Sequence, residues 1–305
     1  MIEFIETWKE LDHQSITPFT RWLDSINNKF WKPDYWELIV LCWFPSCWKT
    51  EFIHRVAREN TKKWVKVCFI SLELTNEVMA KRYAQKKAWV EVVEYQDKTY
   101  NEYQKTALNK YYKEFINIPN LEVLSITNTI KVDDLIRHRQ WLDDADWLIR
   151  EYTDKGYTMF IIDNLWKIWW PENENARFDE ITSKLQSIKN ELWINIILLH
   201  HLKKAFKKED QYKPWWVWGI RWSQKVIDNA TQVIEIWRTL DPEEDDKEEK
   251  AKVKLFQYKN TITWMNGYAE IYFNKWDYQE NNPYEVNEKQ TRKIVQDIRE
   301  EDEAF

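Results

Sequence analysis

Short, β-rich apolar runs alternate with longer stretches of helical periodicity along most of the chain, and this alternation limits the fold more than any other feature. It is typical of a largely parallel sheet with helices covering both faces. The predicted strands are Glu37–Cys42, Val65–Ser71, Leu121–Ser125, Thr158–Asp163, Asn195–His200 and Gln232–Trp237. The predicted helices are Lys49–Asn60, Asn76–Lys87, Asn101–Phe115, Val132–Thr153 and Arg177–Glu191.

The pattern changes after the last of these strands. Two more apolar runs, Lys252–Lys259 and Tyr268–Phe273, follow a charged segment, DPEEDDKEEK. We expect an antiparallel extension at the sheet edge, with the charged segment as a solvated hairpin loop. The sequence therefore predicts one large domain over residues 17–280. A short segment (1–16) would precede it, and a polar tail (281–305), peripheral or a short helix, would follow.

The first predicted strand leads into CWFPSCWKT, which has the spacing of a phosphate-binding loop. That pattern is G-x-x-x-x-G-K-[ST] between a strand and a helix. Lys49 and Thr50 match it, whereas Trp43 and Trp48 stand where both glycines belong. Such a loop needs glycine because its backbone N–H groups close around phosphates, partly at φ > 0 and without a Cβ in the way. With tryptophan there, we expect both rings to crowd the phosphate cavity rather than pack in the core.

The composition suggests an explanation for these tryptophans. The chain has 3 glycines and 21 tryptophans, whereas ordinary usage of about 7% would give roughly 21 glycines at this length. Trp36, Trp193 and the run 215–218 also stand in turns or loops where glycine is expected. We hypothesise that UGA means glycine in the gene's code and has been translated as tryptophan. The alternative is a genuinely tryptophan-rich protein whose rings are buried or used for binding.

Read with glycine at both positions, the loop fits a nucleoside triphosphate bound with Mg²⁺. Lys49 would contact the β- and γ-phosphates, and the Thr50 hydroxyl would coordinate the metal ion, at the positive end of the following helix. The alternative is a coincidental strand–turn–helix segment. The predicted nucleotide-binding residues are Trp43, Pro45, Ser46, Cys47, Trp48, Lys49 and Thr50.

Two carboxylates follow or end predicted strands of the same sheet. Asp163 ends the strand MFIID, where it would anchor the magnesium ion, and Asn164 follows it. Glu73 follows the strand in VCFISLEL, where it would orient and partly deprotonate an attacking water. The alternatives are a strand-capping aspartate and an exposed turn glutamate.

A histidine pair and a basic segment follow the next strand. His200 and His201 stand where the strand leaves the core, and an imidazole there can sense the γ-phosphate by donating a hydrogen bond. One packed and one solvated ring would explain the pair equally well. The lysines that follow would suit a phosphate backbone or a solvated loop; they are Lys203, Lys204, Lys207 and Lys208.

The bulk properties limit the protein class. A net charge of −6 argues against binding nucleic acid through overall charge, although a local basic patch can still bind it. Cys42, Cys47 and Cys68 form neither a C-x-x-C pair nor a zinc spacing, which indicates a reducing compartment. The N-terminus is too charged for a signal peptide, and no apolar run approaches about 18 residues. We therefore expect a soluble, cytoplasmic protein without a membrane partner.

The order of these segments resembles the RecA-like motor domain of hexameric replicative DNA helicases, the DnaB-like group, especially bacteriophage primase–helicases and mitochondrial Twinkle. The resemblance runs from about Thr17 to Asp277. It rests on TRWLDSINNKFWKPDYWELIVLCWFPSCWKT, FISLEL, FIIDNL, ILLHHLKK, IRWSQKVIDNATQVIEIWR and YKNTITW. These become close family motifs when glycine is read at Trp22, Trp36, Trp43, Trp48, Trp222 and Trp264.

The resemblance implies a RecA-like P-loop NTPase that uses ATP and Mg²⁺ and assembles as a homo-oligomeric ring, a hexamer, around single-stranded DNA. Primase or a helicase loader would be further partners. Glu73 matches the catalytic glutamate, Asp163 the magnesium-anchoring aspartate and His201 the γ-phosphate sensor. Positions on loops that face the DNA are matched by Lys203, Lys207 and Arg221.

One departure concerns catalysis between subunits. Lys259 matches a lysine that reaches the neighbouring subunit's site, but Thr261 stands where the phage-type motif carries an arginine finger. Either another arginine, such as Arg238, replaces it or hydrolysis is slow. The competing hypotheses are a RecA-like ATPase of recombination or helicase loading and a non-hydrolysing DNA-binding or scaffold protein.

Overall fold

The computed structural model describes residues 36–43, 49–125, 145–164, 174–201, 224–238, 246–261, 267–274, 277–279 and 282. The described strands are β1 (Leu38–Trp43), β2 (Val67–Ser71), β3 (Leu121–Ser125), β4 (Met159–Asp163), β5 (Asn195–His201), β6 (Gln232–Arg238), β7 (Lys252–Asn260), β8 (Gly267–Asn274) and β9 (Asp277–Gln279). The described helices are α1 (Lys49–Thr61), α2 (Asn76–Ala88), α3 (Val92–Asp97), α4 (Glu102–Ile116), α5 (residues 145–154), α6 (Glu174–Leu192), α7 (Gln224–Asn229) and α8 (Lys247–Ala251).

The strands form one sheet in the order β3-β2-β4-β5-β1-β6-β7-β8-β9. Neighbours from β3 to β6 pair in parallel, and β6 to β9 pair antiparallel. This arrangement confirms the predicted α/β fold with an antiparallel extension at its C-terminal edge.

The central strands are mainly apolar, with polar residues at their ends, because helices cover both faces of a parallel sheet. Every residue of β1, β2 and β4 is buried. The buried side chains Ile181, Leu185 and Ile188 of α6 belong to the same core cluster as these strands. The core therefore runs along the parallel strands and continues into the antiparallel strands through residues such as Val253 and Ile271.

Most predicted elements agree with the structure to within one or two residues, and the main error lies in the charged segment. Residues 241–245 lie outside the described part of the chain, but Lys247–Ala251 forms the short helix α8 rather than a solvated loop. Asp246 caps it by accepting a hydrogen bond from the Glu248 N–H at 2.8 Å. Glutamates in its first turn and Lys250 in its last also favour the helix dipole.

One predicted helix is described only in part, and one helix of the structure was not predicted. The predicted helix Val132–Thr153 is described only as α5, since residues 132–144 lie outside the described part. The short helix α3 was not predicted, although a capping box formed by Glu91 and Glu94 begins it. None of the described helices combines the length and apolar character needed to cross a membrane.

Candidate functional site

Four of the predicted site residues meet at the carboxyl edge of the parallel sheet. Lys49 begins α1 just beyond β1, Glu73 follows β2, Asp163 ends β4 and His201 ends β5. Because the strands run in the same direction, their carboxyl ends share one edge. The order of the strands places β5 between β1 and β4, so His201 lies between the elements that carry Lys49 and Asp163.

The Lys49 ammonium joins these side chains. Its Nζ lies 2.7 Å from Glu73 Oε2 and 3.2 Å from Asp163 Oδ1. The same Nζ lies 3.0 Å from His201 Nε2. The side chain of Lys49 is only 11% exposed and that of Asp163 only 1%. Lys49, the predicted phosphate-binding cation, is therefore held by two carboxylates. Asp163 is the predicted magnesium ligand, and Glu73 is predicted to orient the attacking water.

The two acidic groups differ in their surroundings. Burial raises the pKa of Asp163, Glu73 raises it further, and Lys49 opposes both effects. Glu73 is exposed to solvent at the turn after β2. A buried carboxylate beside a cation suits metal binding, and an exposed one can meet a water molecule.

The two adjacent histidines also differ. His200 is 4% exposed, and its pKa is lowered to about 4 by burial and then by His201. It is therefore a neutral core residue. His201 is partly exposed and contacts the Lys49 ammonium. The pair thus consists of one packed ring and one ring in the site.

Asn164 belongs to the cluster, although no role was predicted for it. Its Nδ2 donates a hydrogen bond to Glu73 Oε2 at 2.8 Å and lies 3.0 Å from His201 Nε2. Asn164 is also buried. The signal that could have identified it is its position directly after Asp163, at the carboxyl end of β4.

Trp43 contradicts one expectation. Its ring is 1% exposed and packs within the core cluster, so the prediction that it crowds a cavity rather than packs in the core is wrong. Trp43 is the last residue of β1 and pairs with His201 on one side and Ile236 on the other, so it lies on an interior strand of the sheet. The ring still contacts the site: its centroid lies 5.6 Å from that of His201 and 5.1 Å from Lys49 Nζ.

Thr50 is 8% exposed in the first turn of α1, next to Lys49. Asp163 and Thr50 fit the predicted magnesium site by their donor chemistry, because hard carboxylate and hydroxyl oxygens are ligands that Mg²⁺ prefers. Asp163 Oδ2 is buried and makes no hydrogen bond with other described residues, so it has an oxygen available for an ion. The described residues contain no group of three or more His, Cys, Asp or Glu side chains able to hold a metal by themselves.

Other predicted site residues are not at this edge or are not described. Lys259 lies beside Val233, toward the amino end of β6 and the opposite end of the sheet. Its Nζ donates to the carbonyls of Ile227 and Asp228 at the end of α7, at 2.6 and 2.8 Å. Outside the described residues lie Pro45, Ser46, Cys47, Trp48, Lys203, Lys207 and Arg221.

The two residues considered for the arginine-finger position, Thr261 and Arg238, lie at opposite ends of the sheet. Thr261 is exposed near Lys259 and donates from its N–H to the Thr231 carbonyl at 3.0 Å. Arg238 ends β6, on the same edge as Lys49. Its Nε donates to the Lys250 carbonyl at 2.7 Å, and its guanidinium lies 5.3 Å from the Phe273 ring centroid. A role for Arg238 in hydrolysis stays a prediction.

Comparison with protein families agrees with this geometry. The model of the DnaB-like helicase C-terminal domain matches residues 21–275. The chain belongs to this family. The RecA-like motor resemblance inferred from the sequence motifs is thereby confirmed, and helicase function is the activity of the family.

Two solved structures share the fold of this DnaB-like domain. One, described as an ATPase domain, superposes with a TM-score of 0.73 at 14% sequence identity, covering 92% of this chain and 97% of that one. The other, a DnaB-like replicative helicase described with its interactions with primase, gives a TM-score of 0.71 at 16% identity. That match covers 90% of this chain and 66% of the other. A comparison with curated protein sequences found no match.

Proposed function

We propose that this chain is the motor of an ATP-dependent replicative DNA helicase, which assembles as a ring of six subunits and translocates along single-stranded DNA. The observation that carries the proposal is the convergence of Lys49, Glu73, Asp163 and His201 at one sheet edge. A phosphate-binding cation, a metal-binding carboxylate, a base and a polar sensor are the parts that phosphoryl transfer to water requires.

Each side chain has a role in the proposed reaction. The ATP phosphates compete with Glu73 and Asp163 for the Lys49 ammonium, and Lys49 turns toward them when they bind. Glu73, released from Lys49, orients the attacking water and accepts its proton. His201 contacts the γ-phosphate region. Mg²⁺, held through Thr50 and Asp163, would neutralise charge that develops on the phosphates.

DNA binding is assigned to residues beyond β5. We propose that Lys203, Lys207 and Arg221 contact the phosphate backbone in the central channel of the ring, which would reconcile DNA binding with a net charge of −6. Lys259, at the opposite end of the sheet, would complete the neighbouring subunit's site. Primase or a helicase loader would bind the assembled ring in the cytoplasm.

Hydrolysis measured with and without single-stranded DNA tests the motor. We expect DNA to stimulate the ATPase and Glu73→Gln to lower turnover by about 10²–10⁴-fold with ATP binding retained. Replacing Lys203 and Lys207 with alanine should flatten the salt dependence of DNA binding by about 0.7 in slope per lost contact. An unchanged slope would assign these lysines to a solvated loop.

A second candidate, a non-hydrolysing DNA-binding or scaffold protein, is favoured by the Trp43 ring against Lys49 and by threonine at 261. Nucleotide binding separates the two. We expect ATP·Mg²⁺ to bind a chain with glycine at every recoded position, Trp43 and Trp48 included, and not the chain as printed. Strain at a glycine-only conformation costs about 1–3 kcal/mol, and an indole at position 48 would also exclude the ligand. Equal affinity in both chains would contradict the argument from glycine geometry.

A further inference from the structure

The contacts of Asn164 determine which way its side-chain amide points. The oxygen and nitrogen of an amide are normally assigned from the surrounding hydrogen bonds. Here the group at 2.8 Å from Glu73 Oε2 must be the NH₂, because a carboxylate that already binds the Lys49 ammonium at 2.7 Å only accepts hydrogen bonds. The same NH₂ therefore faces His201 Nε2 at 3.0 Å.

This orientation also determines the tautomer of His201. The Lys49 ammonium, which can only donate, lies 3.0 Å from the same Nε2. With two donors directed at it, Nε2 must carry the lone pair, and the ring hydrogen must be on Nδ1. In this state Nε2 accepts, so His201 has to gain a proton or change tautomer before Nε2 can donate to a phosphate.

We infer that Asn164 is a positioning residue that holds the base Glu73 and the sensor His201 together through the two hydrogens of one NH₂ group. The inference rests on the proposed function for the roles of Glu73 and His201. Departure of Lys49 toward bound phosphates removes one donor from His201 Nε2 and one from Glu73, and leaves Asn164 as the described link between them. The state of the sensor is thereby coupled to the orientation of the base.

Nitrogen NMR of the His201 ring tests this link without relying on hydrolysis. We expect the printed chain to show hydrogen on Nδ1, with the signal identified by its loss in His201→Gln. Because Lys49 also donates to Nε2, the comparison is made in the Lys49→Met chain, where adding Asn164→Asp replaces the Asn164 donor with an acceptor and should move hydrogen to Nε2. Asn229→Ala is the control, since Asn229 donates to Thr182 and Ser183 away from this edge. An Nδ1 hydrogen that persists when Asn164→Asp is added to Lys49→Met would overturn the inference.

Kinetics provide a second measurement. In a hydrolysing chain, Asn164→Ala should lower kcat while changing the KM for ATP little, because Asn164 orients the base and does not bind phosphate. An equal loss in Asn229→Ala would show a general structural effect and overturn the inference. If no chain hydrolyses ATP, the proposed function fails, and the NMR result still decides whether Asn164 holds the two side chains together.

A separate observation concerns the ends of helices. Five described helices, α1, α2, α3, α5 and α6, end in a residue with left-handed backbone. These residues are Trp64 (φ 67°), Trp89 (55°), Lys98 (55°), Gly156 (85°) and Trp193 (59°). After each of them the next N–H bonds back to the carbonyl five residues earlier, as in Val90 to Gln85 at 3.0 Å and Tyr157 to Tyr152 at 3.0 Å. This is the Schellman motif, whose left-handed position is usually glycine because a Cβ is strained there.

The three tryptophans at these turns are largely exposed. The exposed fractions are 85%, 67% and 51% for Trp64, Trp89 and Trp193, respectively. Trp193 contacts the ring of Trp36, at 4.3 Å between centroids, but Trp36 is itself at a position where glycine is expected. Trp64 and Trp89 therefore bury little surface to offset the backbone strain, and Trp193 is buried by about half, partly against Trp36. The structure assigns glycine to positions 64, 89 and 193 of the natural protein, in agreement with the hypothesis that UGA encodes glycine.

Protein isolated from its own source tests this assignment directly. Peptides that contain these three positions should be lighter than the printed sequence by the difference between tryptophan and glycine. Masses that match tryptophan would overturn the assignment.

Stability of the printed chain gives an independent readout with a matched control. Glycine at 64, 89 or 193 should raise Tm by about 2 °C or more each, since it removes left-handed strain. Trp147→Gly should lower Tm, because Trp147 has an exposed fraction of 63%, within the range of the other three, but lies within the helix α5, where glycine is unfavourable. A lower Tm at all four positions would count against glycine at the helix ends.

Discussion

At the scale of single residues, Lys49 dominates the site. One ammonium binds two carboxylates and an imidazole, and the carboxylate of Asp163 is almost fully buried. Removing a cation from a buried carboxylate is costly because the remaining charge has no compensating partner. Lys49 is thus expected to stabilise the nucleotide-free protein as well as bind phosphate.

Lys49→Met tests both roles. We expect it to abolish ATP binding and to lower the free energy of unfolding at neutral pH by about 1–3 kcal/mol. Adding Asp163→Asn should recover most of the lost stability without restoring ATP binding, because it removes the unpaired charge. Urea denaturation and calorimetric titration measure the two effects. No recovery in the double variant would show that Lys49 does not stabilise Asp163.

At the scale of elements, α1 connects the site to the core through a buried histidine. His54 is 8% exposed and packs edge-on against Phe69, at 4.8 Å between ring centroids. Burial, together with the nearby charges of Arg58, Arg82 and Lys86, lowers the pKa of His54 to about 3. The helix that begins with Lys49 is therefore held in place by an uncharged imidazole.

Acidification should weaken this helix. Between pH 6.5 and about 3 the unfolded chain binds a proton at His54 and the folded chain does not, so stability falls as pH falls through this range. The slope is about 1.4 kcal/mol per pH unit for one such group. His54→Leu should make the stability curve flatter over this range, as measured by urea denaturation at a series of pH values. His200, whose pKa is also lowered, should contribute separately, so the slope is not expected to vanish.

At the scale of the whole molecule, the sheet separates two sets of catalytic candidates. Lys49, Glu73, Asp163 and His201 meet at one end, while Lys259 bonds to the end of α7 at the other. Burial lowers the pKa of Lys259, and Asp228 opposes this effect. A residue at the far end of the sheet would have to serve a site at the near end of a neighbouring subunit, as head-to-tail packing in a ring would allow.

Mixing two inactive variants tests that arrangement. Lys259→Ala and Glu73→Gln should each hydrolyse ATP poorly alone. In a mixed ring, the intact Glu73 of one subunit can meet the intact Lys259 of its neighbour, so activity should rise above the sum of the separate proteins. If Lys259 acts within its own chain, every subunit in the mixture stays defective and no activity is regained.

The sequence by itself determined the local elements and the edge where the site forms. Apolar runs such as LIVLC and MFIID favour strands covered on both faces, and their alternation with helical stretches favours a parallel sheet between helices. A residue that directly follows such a strand must lie at its carboxyl end. Lys49, Glu73, Asp163 and His201 could therefore be expected at one edge from their positions alone.

Tertiary structure decided what those residues contact. The order of the strands places His201 beside Lys49, and side-chain reach gives Lys49 its three partners. The order and pairing of the strands also place Asn164 in the site and Trp43 on an interior strand. They place Lys259 at the opposite end of the sheet. Strand order and cross-strand register join residues far apart in the chain, and local patterns of hydrophobicity contain no information about that pairing.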